Sequence, residues 1–358
     1  MSDEPGGQLA AASLGRSPLQ ISRVVFGAMA LSRDYATGDR VRVIRAALDA
    51  GITSIDTAPL YELGRCEEVV GEAIRDVRNR VQVLTKVGLR WDASHGELFL
   101  TARGPDGQPR EVRRDSRPEA IRRDVVESLQ RLSIEHLDLV QIHQRDPETP
   151  IAETMGELLR LMQEGKLGAI GVSNFGAAEM AEAQAALGDV PLASVQSRYS
   201  CVRREVEREV LPAAIADSVG FLAYSPLEKS LLAGRLLDGG GSPGRTRAGL
   251  LAPRNARKVG AVLRNTVAPI AERHEASFSQ IALAWLLAQP GVTGVIAGAS
   301  SPEQASDNAR ASAIALTEVE IGDIRRAYEE LRLDPSAGQS FTKRVRIRLG
   351  ALRRRLLR

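Results

Sequence analysis

Eight short apolar segments alternate with segments of helical periodicity between about residues 23 and 310. This alternation constrains the fold more than any other feature of the chain. Such repeats predict an α/β fold in which parallel strands close into a (β/α)8 TIM barrel. A doubly wound sheet is the alternative, because it also buries both faces of its strands. The predicted strands are residues 24–30, 54–58, 81–86, 138–143, 169–175, 194–200, 220–227 and 293–300.

Three further segments are expected to decorate the barrel. Residues 8–23 are predicted to form an N-terminal hairpin over its floor. Residues 89–115 look like a hairpin excursion after the third strand, and residues 228–253 form a loop rich in Gly and Arg after the seventh. In a barrel both loops extend the C-terminal face, where active sites are built.

The helical patterns carry start and stop signals. Residues 41–51 have apolar periodicity and end at a glycine. In residues 116–132, Ser116 and Glu119 have the spacing of a capping box, with Pro118 near the helix start.

The charge of the chain is unevenly distributed. The last 18 residues contain eight Lys or Arg and no acid, and without these eight the formal charge of +3 becomes −5. The remainder carries no basic footprint of the kind that binds nucleic acid. We therefore predict a domain over residues 1–334 and a basic tail over residues 335–358. The tail has helical apolar spacing that could touch anionic surfaces. The strand-like alternation of Val345, Ile347 and Leu349 and the interruption at Gly350 favour a solvated tail or a packing arm instead.

The compartment is predicted from three features. Only two cysteines occur, with no CxxC, which favours a reducing compartment. The first residues lack the basic and apolar regions of a signal peptide. No apolar run approaches the roughly 18 residues of a membrane span. A cytoplasmic protein is expected, with oligomerisation left open.

Four chemically different side chains stand at or near the ends of predicted strands. Asp56 ends the second strand, Lys86 the third and His143 the fourth, and Tyr61 follows five residues after Asp56. A free tyrosine titrates near ~10, and a nearby ammonium favours its phenolate. A carboxylate would hold that ammonium, and a neutral imidazole would orient a carbonyl oxygen. The alternative reading is a structural ion pair, a surface tyrosine and a core histidine.

A redox reaction also needs a cofactor site. Residues 239–244 match GxGxxG, but they follow no strand and include Pro243, so we reject this match. Polar groups at the remaining strand ends could hold the carboxamide of a cofactor. An aromatic side chain there could stack on a flat cofactor ring. These groups are Ser173, Asn174, Gln196, Tyr224 and Ser225. After the eighth strand, residues 298–308 supply a loop and a helix start suited to phosphate.

Together these segments resemble the aldo-keto reductase family over residues ~20 to 332. The matching segments are DTAPLYELGRCEEVVG, LTKVG, LDLVQIH, IGVSNF, AYSPLEKSLLAG and GVIAGASSPEQASDN. The resemblance implies an NADP(H)-dependent barrel enzyme that transfers a hydride between nicotinamide and a carbonyl or alcohol. It makes Tyr61 the general acid/base, Lys86 and Asp56 its tuning pair, and His143 the group that orients the substrate.

The resemblance also implies the cofactor contacts. Ser173, Asn174 and Gln196 would hold the carboxamide, and Tyr224 would stack on the nicotinamide. Gln304, Asp307 and Asn308 would bind the adenosine end, with Arg247 contacting a 2′-phosphate. The set is completed by Ser225, Leu227, Gly298 and Ser300.

The chain departs from the family pattern at several positions. Glu62 stands where a glycine usually follows the catalytic tyrosine. Lys229 and Ser230 replace a common Gln-Gly pair, and Gly298 and Ala299 replace Lys-Ser. Gln304 stands where an arginine often contacts the 2′-phosphate.

Three functions are compatible with these residues. The first is reduction of small aldehydes, ketones or sugar-like substrates. The second is an NADP-binding module that senses redox state while docked on a partner protein. The third is an unrelated barrel hydrolase or aldolase that uses Lys86 as a Schiff base. No cluster of metal-ligating residues is apparent from the spacing.

Overall fold

A computed structural model of the chain describes residues 9, 11–31, 36–104, 106–235 and 249–334. Eight parallel strands form a closed barrel in which each strand pairs with the next along the chain, and the eighth pairs with the first. All eight predicted strands are present, so the TIM-barrel prediction is confirmed and the doubly wound sheet is excluded. The strands are β1 (Val24–Gly27), β2 (Ser54–Asp56), β3 (Gln82–Val87), β4 (Leu137–Ile142), β5 (Leu167–Ser173), β6 (Leu192–Arg198), β7 (Gly220–Tyr224) and β8 (Val292–Ala297).

Helices follow the strands and cover the outside of the barrel. A π-helical segment, Leu263–Val267, links two of them. The helices are α1 (Thr37–Asp49), α2 (Arg65–Ile74), α3 (Pro118–Leu132), α4 (Ile151–Gln163), α5 (Ala177–Leu187), α6 (Val210–Ala216), α7 (Pro253–Val262), α8 (Ala268–Arg273), α9 (Phe278–Leu287), α10 (Pro302–Arg310) and α11 (Glu318–Glu329).

The N-terminal hairpin closes one end of the barrel, as predicted. Ala11–Ser13 pairs with Gln20–Ser22. Leu14 and Ile21 are fully buried in a cluster with inward-facing strand residues. A Cβ on Gly220, the first residue of β7, would lie only 2.6 Å from the Leu14 side chain. The hairpin therefore covers the end at which the strands begin.

The excursion after β3 is a small antiparallel sheet, which confirms the predicted hairpin. Leu98–Arg103 pairs with Pro109–Arg114, and Leu89–Arg90 joins the same sheet. The loop after β7 is described only in part. The rejected glycine motif, Arg247 and the basic tail lie outside the described residues, so the domain boundary stays a prediction.

One helix start differs from the prediction. The N-cap of α3 is Arg117, with Pro118 as the first helical residue, and no side chain caps it. Ser116 therefore lies one residue before the N-cap and Glu119 is the second helical residue, so neither occupies its capping-box position. The Ser116 backbone is instead held by Asp146, 3.0 Å away, and its hydroxyl has no hydrogen-bond partner. The predicted capping box is wrong.

Alternation along the strands explains how polar groups reach the barrel mouth. In β3, Leu84 belongs to the apolar cluster inside the barrel, and Lys86 follows it two residues later. In β4, Leu139 is in the same cluster and is followed by Gln141 and then by His143. Since a strand has a side-chain period of two, each polar side chain lies on the inner face above an apolar one.

Within the described ranges, none of the helices combines the length and apolar character that crossing a membrane requires.

Candidate active site

Three of the predicted catalytic residues lie where neighbouring strands end. Asp56 is the last residue of β2, Lys86 is the penultimate residue of β3, and His143 directly follows β4. The backbone N–H of His143 donates to the carbonyl of Val87 at 2.9 Å, which extends the ladder by one residue. Tyr61 begins a 3-10 turn after β2. The barrel thus places side chains distant in sequence at one mouth.

Lys86 is the centre of this cluster. Its Nζ donates to both carboxylate oxygens of Asp56 at 2.7 and 2.8 Å, to the carbonyl of Thr57 at 3.0 Å and to Oη of Tyr61 at 3.2 Å. Lys86 and Asp56 are almost fully buried. The ring of His143 meets the Tyr61 ring edge-on, with 6.0 Å between centroids. The structure therefore brings together all four residues predicted from the sequence.

Charge states follow from burial and from these contacts. Burial alone would lower the pKa of Lys86, but the Asp56 charge and the bonds to Asp56 and Tyr61 raise it above its ordinary value. Burial lowers the pKa of His143 well below its ordinary value, and the Lys86 charge lowers it further. Near neutral pH the site therefore holds an ammonium and a neutral imidazole.

The tyrosine behaves differently from the expectation. Burial raises the pKa of Tyr61 to about 12, although the charge of Lys86 and its hydrogen bond act to lower it. The negative charge of Asp56 adds to the rise. The expected net lowering is wrong for this structure, because desolvation of the phenolate outweighs the nearby ammonium. At neutral pH Tyr61 is a protonated phenol.

Side chains from β5 to β7 extend the polar surface from this cluster. Asn174 donates from Nδ2 to the His143 carbonyl at 3.1 Å and to Ser173 Oγ at 3.0 Å. Its Oδ1 accepts a hydrogen bond from Oη of Tyr224 at 2.8 Å. Asn174 has a left-handed backbone, with φ of 60°, which asparagine tolerates better than most residues. Four of the predicted cofactor contacts, counting Gln196, therefore line one side of the mouth.

Gln196 links this surface to the catalytic cluster. Its Nε2 donates to Oδ2 of Asp56 at 2.8 Å. Below it lies Gln141, fully buried, whose Oε1 accepts from Ser194 Oγ at 3.2 Å and lies 3.5 Å from Gln196 Nε2. No sequence motif marks Gln141 as part of the site. Its position two residues before His143 on the same strand was the available signal, because both must face the barrel interior.

The loop after β8 is organised by Gln304. The Gln304 Oε1 accepts from both the backbone N–H and the hydroxyl of Ser300, each at 3.1 Å. Asn308 donates to the carbonyl of Gly298 at 3.3 Å. Asp307 is directed elsewhere, since its carboxylate accepts from Ser277 Oγ at 2.8 Å and Gln280 Nε2 at 3.0 Å. The predicted adenosine contacts therefore fall into two groups, with Asp307 apart from the loop.

The segment after β7 has an unusual backbone. Ser225 has a positive φ, and so do the three consecutive residues from Glu228 to Ser230. Glu228 is almost fully buried, and its carboxylate accepts hydrogen bonds from Arg198 and, at 3.1 Å, from Ser200 Oγ. It also forms an ion pair with Arg203, whose Nε lies 3.4 Å away. Leu227 is partly buried against the core. No sequence motif marks this ion cluster. It anchors the start of the loop over residues 228–253, in which Arg247 is predicted to contact the cofactor.

The described residues were also compared with the arrangements of side chains that bind metal ions. No group of three or more His, Cys, Asp or Glu side chains is arranged there to hold a metal ion. Both cysteines are buried and free of disulfides, and burial raises the pKa of Cys201 to about 12.

Comparisons with known proteins agree with this geometry. The model of the Aldo/keto reductase family matches residues 23–329. The NADH-specific methylglyoxal reductase of Escherichia coli (strain K12) is 34% identical over 330 residues, which cover 89% of this chain and 98% of that protein. The aldo-keto reductase YhdN of Bacillus subtilis (strain 168) is 32% identical over 334 residues, covering 90% and 95%.

A solved structure extends the likeness to three dimensions. The glycerol dehydrogenase AKR11B4 from Gluconobacter oxydans superposes with a TM-score of 0.77 at 34% identity, covering 90% of this chain and 98% of that one. Proteins of this family use nicotinamide cofactors. The chain therefore belongs to the aldo/keto reductase family and is an NAD(P)H-dependent oxidoreductase.

Proposed function

We propose that this enzyme reduces small aldehydes, ketones or sugar-like carbonyl compounds with NADPH, with Tyr61 as the proton donor. One observation carries the proposal above the others. The Lys86 ammonium, held by both oxygens of Asp56, reaches Oη of Tyr61 at 3.2 Å. A protonated phenol that faces the mouth and is backed by a fixed cation is suited to general acid catalysis.

The roles of the four residues follow from their charge states. A nicotinamide bound beside this cluster would supply the hydride that reduces the carbonyl carbon. The neutral imidazole of His143 donates a hydrogen bond that orients the carbonyl oxygen. Tyr61 gives its proton to that oxygen as negative charge develops there, and the Lys86 ammonium stabilises the resulting phenolate. Asp56 keeps the ammonium charged and in place, and a proton from solvent restores the phenol.

The donor set beside this cluster suits a nicotinamide. A carboxamide needs partners that both donate and accept, and Ser173, Asn174 and Gln196 offer hydroxyl and amide groups of that kind at adjacent strand ends. Tyr224 supplies an aromatic ring whose hydroxyl is held by Asn174. Such a ring provides a flat face for stacking.

We further propose that NADP(H) is preferred to NAD(H). The support is a pair of arginines, Arg245 and Arg247, in the loop that follows β7. A guanidinium can pair bidentately with a 2′-phosphate. At the adenosine end, Ser300, Gln304 and Asn308 provide neutral polar groups around the start of α10. Leu227 and Gly298 would complete the walls.

The alternatives are disfavoured by particular observations. A Schiff-base mechanism needs a neutral amine, whereas contacts with Asp56 and Tyr61 raise the pKa of Lys86 and keep it charged. A pure redox sensor would not need the aligned phenol, ammonium and imidazole that are present here.

The test is a panel of aldehydes, ketones and sugars incubated with NADPH or NADH, with nicotinamide absorbance followed over time. We expect NADPH oxidation with at least one class of carbonyl. Tight cofactor binding without turnover on any class would favour the sensor. A borohydride-trapped adduct on Lys86 would favour the Schiff base.

A further inference from the structure

We infer that Arg40 is a positioning residue for Tyr61, acting through Glu62. This inference rests on the proposed role of Tyr61 as proton donor. It concerns the way in which the fold holds the tyrosine rather than the identity of the donor.

The backbone after Tyr61 is held in a conformation that residues with a Cβ rarely adopt. Glu62 has φ and ψ of 53° and 33°, Leu63 has 52° and 50°, and Gly64 has φ of 96°. The left-handed region crowds Cβ against the following carbonyl, so only glycine visits it readily. Two consecutive residues with side chains in this region require contacts that hold them there.

Arg40 supplies such a contact from the first helix. It lies in the first turn of α1, and its Nη2 is bonded to Oε1 of Glu62. The Arg40 side chain is only 4% exposed and that of Glu62 is 15% exposed. An ion pair shielded to this extent is screened less by salt than a surface pair, so it can fix the Glu62 side chain and with it the backbone next to Tyr61.

Two further observations concern the far end of the turn. Arg65 donates to Thr37 Oγ1 at 2.8 Å, which also ties the turn to the start of α1. A Cβ on Gly64 would lie 2.6 Å from the Arg131 side chain, so the chain is packed closely there. The turn is therefore clamped between α1 and α3, and Glu62 is the link nearest to the tyrosine.

The position of the phenol depends on this clamp. The hydroxyl lies 3.2 Å from Lys86 Nζ, near the limit of a useful hydrogen bond. Relaxation of the turn would carry Tyr61 away from Lys86, because the two residues are on different elements. Misplacement of a reacting group by about 1 Å can cost about 10²-fold in rate.

The test compares variants that break the Arg40–Glu62 ion pair with a glycine variant at position 62, which can adopt the left-handed conformation without that ion pair. Arg40→Met and Glu62→Gln keep a Cβ at position 62 and weaken the clamp, so each should lower kcat about tenfold or more. Glu62→Gly lets the turn adopt its left-handed φ without the pair, so it should retain more activity than Glu62→Gln. The double variant Arg40→Met with Glu62→Gly should have a higher kcat than Arg40→Met alone. This non-additivity is expected only if Arg40 acts through Glu62. Arg42→Met, on an exposed residue of the same helix, is the matched control and should leave kcat unchanged.

Three readouts separate positioning from a general structural role and from failure of the proposed function. Cofactor affinity, measured by fluorescence titration, should be unchanged in all variants. A crystal structure of Arg40→Met should show the Tyr61 hydroxyl beyond hydrogen-bond reach of Lys86. Tyr61→Phe, assayed in parallel, tests the donor itself. Wild-type kcat in both Arg40→Met and Glu62→Gln, or a loss in kcat that the glycine variant fails to restore, would overturn the inference even if Tyr61→Phe is inactive.

Discussion

The Nε2 of Gln196 donates a 2.8 Å hydrogen bond to Oδ2 of Asp56, and both side chains are buried. The bond joins the amide expected to meet the nicotinamide to the carboxylate that holds Lys86. We expect Gln196→Leu to weaken cofactor binding about tenfold and also to lower kcat, since a hydrogen bond to a charged group contributes roughly 1.5–3 kcal/mol. Fluorescence titration and steady-state kinetics measure the two effects. Unchanged affinity and unchanged kcat would show that Gln196 belongs to neither function.

Replacement of the proposed proton donor gives the most direct prediction. Tyr61→Phe removes the hydroxyl and keeps the ring that packs edge-on against His143. Carbonyl reduction should fall by about 10²-fold or more, the usual scale for general acid catalysis. Cofactor affinity should change little, because none of the predicted nicotinamide contacts is altered. Wild-type turnover in this variant would eliminate Tyr61 as the donor.

Much of this site could be predicted from the order of residues along the chain. Parallel strands buried on both faces appear as apolar runs, and a polar residue at the end of such a run must lie at the barrel mouth. Asp56, Lys86 and His143 follow this rule, and the structure places them beside Tyr61.

Other features depend on three-dimensional balances that a linear pattern does not contain. Gln196 and Asp56 are 140 residues apart, so their contact arises only when the barrel closes. The sign of the Tyr61 pKa shift is set by competition between burial and two opposite charges. Ser116 is not the cap of α3, whose N-cap is Arg117, and its backbone N–H is bound by Asp146, 30 residues away.

Acid stability should depend on Glu320, the N3 residue of the capping box on α11. Burial would raise its pKa, but the Thr317 backbone N–H, His274 and Arg273 lower it to about 2. Since the folded pKa lies below the ordinary value, the ionised side chain stabilises the fold above about pH 4.3. That contribution is lost as pH falls towards 2. Urea unfolding across this range should show a steeper loss in the wild type than in Glu320→Gln. Glu318→Gln, which alters an exposed carboxylate of the same turn, is the control. Identical pH dependence in wild type and Glu320→Gln would contradict the assignment.

Cofactor preference should depend on the basic residues after β7. We expect NADPH to bind more tightly than NADH, because Arg245 and Arg247 can pair with a 2′-phosphate that NADH lacks. Arg247→Ala should reduce the difference in affinity between the two cofactors, mainly by weakening the binding of NADPH. A higher salt concentration should have the same effect. Fluorescence titration of both cofactors measures this. Equal affinities in the wild type would reject the preference.

The reverse reaction should report the pKa of Tyr61. Alcohol oxidation needs the phenolate as a base, and burial raises the Tyr61 pKa to about 12 even though Lys86 acts to lower it. The rate of oxidation should therefore rise with pH throughout the alkaline range, whereas carbonyl reduction should stay level through neutral pH, where the phenol is protonated and His143 is neutral. Lys86→Met removes the cation that favours the phenolate, so its oxidation profile should move to still higher pH. The measurement is the initial rate in both directions across a series of buffers of different pH. Tyr61→Phe is the control, because it has no phenolic hydroxyl to titrate at position 61. An oxidation rate that stops rising near neutral pH would contradict this prediction. It would mean that, with cofactor and substrate bound, the Lys86 charge outweighs burial and lowers the pKa of Tyr61.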